Sequence, residues 1–208
     1  MSTEFFTKLI ETLPVDIENG PWIAGGFPLS VYRSDDLFSH DIDYFFKNND
    51  QYMDYVNKFK TIFNELNVKV EEEEEDVFKT CKEIMRLLSN PFSCVETDNS
   101  YTFSPNNGNC HHKVQFIKKQ FYNSLEDVFA DFDITACKIA TDGVDFYASD
   151  ETYHHIDNNI LHINKFHQKS IKRFTKYVQY GFKPTKETIQ GIYEITNPII
   201  QFAGLCDY

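Results

Sequence analysis

Long apolar runs are missing from this sequence. No stretch approaches the roughly 18 consecutive apolar residues that a membrane-spanning helix needs, and residues Met1–Phe6 lack the basic region and apolar core of a secretion signal. We therefore expect no membrane partner, and a soluble protein of the cytoplasm.

Positive charge is also scarce. The 208 residues include 20 Lys and Arg against 32 Asp and Glu, which gives a formal net charge of -12. Such a chain does not capture nucleic acid non-specifically, because that binding depends on Lys and Arg neutralising phosphates. A nucleic-acid partner requires a local basic patch.

Paired cysteines are missing as well. The five cysteines are odd in number and widely spaced, with no Cys-x-x-Cys motif: Cys81, Cys94, Cys110, Cys137 and Cys206. This pattern excludes a disulfide scaffold and is typical of reduced thiols in an intracellular protein.

Aromatic residues are abundant, with 20 Phe and 12 Tyr, and the length suits one domain with a proper core. The order of apolar patterns predicts an α+β fold. We expect a mixed β-sheet flanked by helices over residues 1–150, and a helical C-terminal part over residues 151–208.

Helices are predicted from apolar residues at helical spacing, and strands from short apolar runs between turn signals. The predicted helices are Glu4–Leu13, Phe27–Tyr32, Gln51–Leu66, Val77–Ser89, Leu125–Asp131 and Lys169–Tyr180. The predicted strands are Trp22–Ala24, Asp41–Phe46, Lys69–Glu71, Tyr101–Phe103, Lys113–Ile117, Thr135–Ala140 and Val144–Ala148.

The most specific pattern lies in residues Trp22–Phe46. Asp41 and Asp43 are two positions apart on a predicted strand, so their side chains share one face. Like charges this close repel each other unless a cation lies between them. Carboxylates together with phosphate oxygens are the ligands that Mg2+ or Mn2+ takes. The pair therefore predicts a divalent-metal site.

A diglycine turn precedes this pair in the sequence. Gly25 and Gly26 let the backbone approach a ligand closely, and the helix that follows directs its N-terminal amides toward an anion. The turn and the metal site together predict a place for the triphosphate of an NTP.

Gly-Gly, a short helix with Ser30, a polar loop and Asp-x-Asp on a strand resemble the active-site signature of the DNA polymerase beta superfamily of nucleotidyltransferases. The segment looks most like tRNA nucleotidyltransferases and the small nucleotidyltransferase-like proteins of phages and large viruses. Ser124–Gly143 and Ile171–Phe182 resemble later segments of the viral group. The second also resembles the basic helix after the catalytic domain of tRNA nucleotidyltransferases.

This resemblance implies transfer of a nucleoside monophosphate from an NTP to a hydroxyl, in the host cytoplasm if the chain is viral. It implies that Mg2+ or Mn2+ is held by Asp41 and Asp43, and that the triphosphate is cradled by Gly25, Gly26 and Ser30. An RNA 3′ end, a small molecule and a protein side chain all stay open as the acceptor.

The superfamily's site includes a third acidic residue on a neighbouring strand. Gln115 stands at the matching position here, and its amide carries no charge and cannot act as a base. The alternatives are Asp131 and Asp133, of which Asp133, at the start of a predicted strand, is the candidate catalytic carboxylate. The rival hypothesis is a catalytically degenerate protein that acts as a binding or regulatory module.

One basic patch is present, over residues 165–186. Lys172, Arg173 and Lys176 lie at i, i+1 and i+4 of a predicted helix, which groups them on one side. Arg173 is the candidate nucleotide-binding residue, because a guanidinium binds phosphate through two N–H groups.

Overall fold

The computed structural model describes residues 3–34, 41–67, 92–105 and 113–197. The helices are α1 Thr3–Thr12, α2 Gly26–Arg33, α3 Asn49–Asn67, α4 Leu125–Asp131, α5 Asp150–Asp157, α6 Gln168–Gln179 and α7 Lys186–Thr196. The predicted strand Lys69–Glu71 and helix Val77–Ser89 lie outside the described residues.

The strands are β1 Trp22–Ala24, β2 Asp41–Phe45, β3 Phe92–Glu96, β4 Ser100–Pro105, β5 Lys113–Ile117, β6 Ile139–Thr141, β7 Phe146–Ala148, β8 Ile160–Leu161 and β9 Lys183–Pro184. A mixed sheet has the order β3-β4-β5-β2-β1-β6-β7. Within it β2 pairs parallel with β5, whereas β1–β2, β1–β6, β3–β4 and β4–β5 pair antiparallel. The prediction of an α+β protein with a mixed sheet, flanking helices and a helical C-terminal part is confirmed.

The chain forms two compact units. The first unit comprises Met1–Val128 with Ala140–Tyr147, and the second comprises Phe129–Ile139 with Ala148–Tyr208. The first contains most of the large sheet, and the second contains α5, α6, α7 and the parallel pair β8–β9. A domain boundary near residue 150 stays a prediction.

An aromatic cluster fills the core of the first unit on one face of the sheet. Phe116 of β5 lies at its centre, with ring centroids 5.4 to 6.4 Å from those of Tyr44, Phe46, Tyr55, Phe59 and Phe103. Most of these ring pairs meet edge to face, the arrangement that aromatic quadrupoles favour. This packing fixes which face of β2 and β5 is apolar and leaves the other face for polar side chains.

The predicted strand Thr135–Ala140 is wrong over its first half. Thr135–Cys137 forms a short 3₁₀ helix, in which the amides of Cys137 and Lys138 donate to the carbonyls of Ile134 and Thr135. A continuous apolar run does not distinguish a buried strand from a buried helical turn. The strand begins only at Ile139.

Candidate functional site

Asp41 and Asp43 lie on the polar face of β2. Both are partly buried, whereas Ile42 and Tyr44 on the opposite face are fully buried. Tyr44 packs in the aromatic core, and its hydroxyl also donates to the Leu13 carbonyl at 3.2 Å. The two carboxylates therefore share one strand face, as the alternation predicts.

The neighbouring strand adds two polar residues to this face. In the parallel pairing of β2 with β5, Lys113 lies beside Asp41 and Gln115 beside Asp43. Residues paired across neighbouring strands project to the same face of a sheet. Gln115 thus occupies the strand position next to the pair.

The diglycine turn lies at the same end of the sheet as this pair. In the antiparallel pairing of β1 with β2, Ile23 lies beside Tyr44. The chain continues from Ile23 through Ala24 toward the turn, while β2 runs back from Tyr44 toward Asp43. Helix α2, which follows the turn, packs against both strands.

Gly25 has a backbone conformation that other residues rarely adopt, with φ 100° and ψ −137°, and it caps α2. The first helical hydrogen bond runs from the Leu29 amide to the Gly25 carbonyl, at 3.3 Å. Gly26 and Phe27 carry N–H groups that precede this bond and point toward the helix N-terminus, while Pro28 has none. This geometry suits an anion at the end of the helix. Ser30 is partly buried on the next turn.

The carboxylates fit a hard divalent cation by the chemistry of their donor atoms. The Oδ1 atom of Asp43 is buried from solvent, and burial disfavours a carboxylate charge unless a positive charge is close. Within the described residues, no group of three or more His, Cys, Asp or Glu side chains is placed to hold a metal ion. The candidate ligands of a divalent cation are therefore the two carboxylates and the neutral amide oxygen of Gln115.

Asp133 has a different environment, in the second unit. Its side chain is only 7% exposed, and Arg173 donates from Nη1 to its Oδ1 atom at 2.5 Å. His167 Nε2 lies 3.5 Å from the other carboxylate oxygen, Oδ2. Asp131 is the last residue of α4 and is exposed. The catalytic role of Asp133 stays a prediction.

Arg173 is bound to a carboxylate of its own unit. Burial acts to lower the pKa of Arg173, but the hydrogen bond and the charge of Asp133 outweigh it and raise the pKa above its ordinary value. The side chain is nevertheless 48% exposed, so part of the guanidinium faces solvent. Its role in nucleotide binding stays a prediction.

Other members of the basic patch have contacts within the second unit too. Lys165 Nζ donates to the Ala130 carbonyl at 2.6 Å, near the C-terminus of α4. Lys176 Nζ lies 5.7 Å from the centroid of the Tyr180 ring. The side chains of Lys172 and Lys169 on α6 are exposed. The patch is thus partly engaged in holding its own fold together.

The thiol of Cys137 is a poor nucleophile in this setting. Its Sγ atom lies 2.8 Å from the hydroxyl of Tyr177. Burial raises the pKa of Cys137 to about 11, so the thiolate is rare near neutral pH. Within the described part of the chain, Cys94 and Cys137 are free.

A comparison with models of known protein families identifies the family of this chain. The model of the Gabija anti-defense 2 (Gad2) family matches residues 2–159, more than half of the chain. The chain belongs to this family. The match to the Gad2 family covers the diglycine turn, β2 and β5, and it ends before α6, so Arg173 lies beyond it. The family's description names no reaction, and the resemblance to the polymerase beta superfamily stays a prediction.

One solved structure that resembles the chain is a tRNA nucleotidyltransferase complexed with a primer tRNA and an incoming ATP analogue. The two are 13% identical with a TM-score of 0.48, over 85% of this chain and 46% of that one. The chain thus spans less than half the length of that neighbour. No curated protein matches the chain. In the ranges that the structure describes, no helix is long and apolar enough to cross a membrane.

Two residues near the candidate side chains escaped the sequence analysis. Lys113 stands in the quoted strand, but its place beside Asp41 depends on a strand pairing between distant parts of the chain. His167 near Asp133 depends on the loop that leads into α6, where its backbone amide and Ser170 Oγ form a capping box. Neither neighbour is predictable from the sequence alone, because each depends on which distant segments the fold brings together.

Proposed function

We propose that this protein is a metal-dependent nucleotidyltransferase that acts against the Gabija defence named in its family's description. It would transfer a nucleoside monophosphate from an NTP to a hydroxyl and release pyrophosphate. The observation that carries the proposal is the meeting, at one end of the sheet, of the diglycine turn with the Asp41 and Asp43 carboxylates.

Each part of this end of the sheet has a distinct task in the proposal. Asp41 and Asp43 would hold Mg2+ or Mn2+, which would offset the negative charge that develops on the phosphate during transfer. Gly25 and Gly26 allow the triphosphate to approach the backbone, and Ser30 lies one turn further along the helix that the phosphates face. The hydroxyl oxygen attacks the α-phosphate, the bond to the pyrophosphate oxygen breaks, and the hydroxyl proton passes to water.

The acceptor is an RNA 3′ end, a small molecule or a protein side chain. We place the reaction in the cytoplasm, in that of an infected host if the chain is viral, because NTPs are available there. Overall negative charge, -12 for the chain, favours an acceptor recognised locally over an extended nucleic acid bound through its backbone.

A second function is favoured by one observation. Gln115, and not a carboxylate, lies beside Asp43 on the neighbouring strand. A site without a base on this strand suits a module that binds a nucleotide, or a component of the defence, without turning it over.

Labelled nucleotide transfer distinguishes the two functions. The protein is incubated with each α-labelled NTP, Mg2+ or Mn2+, and RNA or lysate from cells carrying the Gabija defence. The proposal predicts label on an acceptor with the wild type, and none with Asp41→Asn/Asp43→Asn. Protection against the defence by the wild type and the double variant alike, without label transfer, would establish the binding module instead.

A further inference from the structure

The row of polar side chains across β2 and β5 includes one positive charge. Lys113 pairs with Asp41 in the strand register and is exposed. Neighbouring strands are about 4.8 Å apart, and the flexible four-carbon stem of Lys extends further than that. Its ammonium is therefore within reach of Asp41 and of an anion bound to a cation on Asp41.

The same row carries too little negative charge to bind two divalent cations. Asp41 and Asp43 contribute two negative charges, Lys113 contributes one positive charge, and Gln115 contributes none. One divalent cation takes one or two carboxylates together with phosphate oxygens. A second cation would need a further carboxylate, and within the described residues no third acidic side chain is grouped with this pair. It would also be repelled by the ammonium.

We propose that this site takes a single divalent cation and that Lys113 supplies the second positive charge to the bound triphosphate. The inference rests on the proposed function for the presence of a nucleotide, and it assigns Lys113 and Gln115 the roles that a second metal and its carboxylate would otherwise have. Gln115 then serves as a neutral neighbour that allows the ammonium to stay in place without a competing cation.

Metal stoichiometry tests the proposal without any measurement of turnover. Mn2+ binding is followed by electron paramagnetic resonance in the presence of non-hydrolysable analogues of the four NTPs. The wild-type complex is expected to hold one Mn2+ per chain. In the variant Lys113→Ala/Gln115→Asp, the first substitution removes the ammonium and the second adds a carboxylate that can bind a second cation. The complex of this variant is expected to hold two Mn2+ ions per chain.

Analogue affinity tests the role of the ammonium. Lys113→Ala is expected to bind the analogue about tenfold more weakly, the loss typical of one charged hydrogen bond, while still holding one Mn2+. Lys113→Ala/Gln115→Asp is expected to regain that affinity through its second Mn2+. Lys119→Ala removes an equally exposed ammonium just beyond the other end of β5 and is expected to bind like the wild type.

The outcomes separate this inference from the function on which it rests. Two Mn2+ ions in the wild-type complex, an unchanged affinity in Lys113→Ala, or a single Mn2+ in the double variant would each overturn the single-cation site. A wild-type protein that binds no analogue with Mn2+ would instead overturn the proposed function. Melting temperatures of the variants verify that each is folded, and Lys113→Gln repeats the test with a longer neutral side chain.

Discussion

The two units use aspartate in opposite ways. In the first unit, Asp41 and Asp43 stand two positions apart on one strand, which concentrates negative charge at the end of the sheet near a diglycine turn. In the second unit, Asp133 is a single buried carboxylate held by Arg173. The first arrangement places two like charges close together, where they repel each other, whereas the second pairs a buried charge with an arginine.

This difference predicts different consequences when the two sets of aspartates are replaced. A protein retains like charges together when something other than its own stability requires them, such as a cation or a phosphate. The contacts of the buried Asp133 carboxylate with Arg173 and His167 help to position α6, which is a role in stability. Removing each set of charges should therefore change different properties of the molecule.

The largest effect is expected at the carboxylate pair. Asp41→Asn/Asp43→Asn should lower nucleotidyl transfer by about 100-fold or more, because metal-assisted stabilisation of the transition state is lost. The free energy of unfolding should change little, because asparagine keeps the shape of each side chain and the like-charge repulsion is removed. Transfer assays and urea denaturation of the same preparations measure the two quantities. A loss of stability together with activity would show that the pair is a structural element.

The next effect is expected at the ion pair. Arg173→Ala leaves the buried Asp133 carboxylate without its arginine and should lower the free energy of unfolding by about 2 kcal/mol, a value below that for a fully buried pair because the arginine is half exposed. Lys172→Ala, which removes the exposed neighbour on the same helix, should change it by less than about 0.5 kcal/mol. Urea denaturation of both variants makes the comparison.

A transfer assay alongside urea denaturation tests the predicted catalytic role of Asp133. If Asp133→Asn abolishes transfer while its stability and that of Arg173→Ala match the wild type, the ion pair is not structural. Asp133 would then be the catalytic carboxylate that the sequence predicts.

An effect of similar size on stability is expected at the glycines with positive φ. Ala at Gly25, where φ is 100°, or at Gly181, where φ is 87°, should cost about 1 to 3 kcal/mol of backbone strain. Gly181 has nothing within 4 Å of an added Cβ, which makes it a control for strain alone. Only Gly25→Ala should also weaken binding of NTP analogues, as measured by calorimetry. Equal binding by both variants would exclude the turn as the phosphate cradle.

The smallest effect concerns pH and the second unit alone. Burial lowers the pKa of His155, and the neighbouring His162 and His154 lower it further against the opposing charge of Glu151. His155 is therefore neutral in the folded protein, and its contribution to stability is complete above pH 6.5. It is lost as the pH falls below 6.5 toward the lowered pKa, because the unfolded chain takes up the proton first.

His155→Gln should remove this part of the acid sensitivity. Melting temperatures of the wild type and the variant should approach each other as the pH falls from 7 to 5, while metal-dependent nucleotide binding stays the same. A parallel decline in both proteins would place the acid sensitivity elsewhere.

Local pattern was sufficient to predict the elements that carry the candidate site. Alternation on β2 and the diglycine before α2 depend on neighbours in sequence, so Asp41, Asp43 and Gly25 were predicted on the elements where they lie. Partners from distant segments were not predictable. The parallel register that sets Lys113 beside Asp41, and the salt bridge between Asp133 and Arg173 across 40 positions, depend on the topology.

Metal-dependent nucleotide binding tests the central claim most directly. An NTP analogue is titrated into the wild type and into Asp41→Asn/Asp43→Asn, with Mn2+ present and with the metal chelated. We predict binding by the wild type that disappears both on chelation and in the double variant. Binding of equal strength in all four experiments, or no binding by the wild type with Mn2+, would contradict a nucleotide and metal site at this end of the sheet.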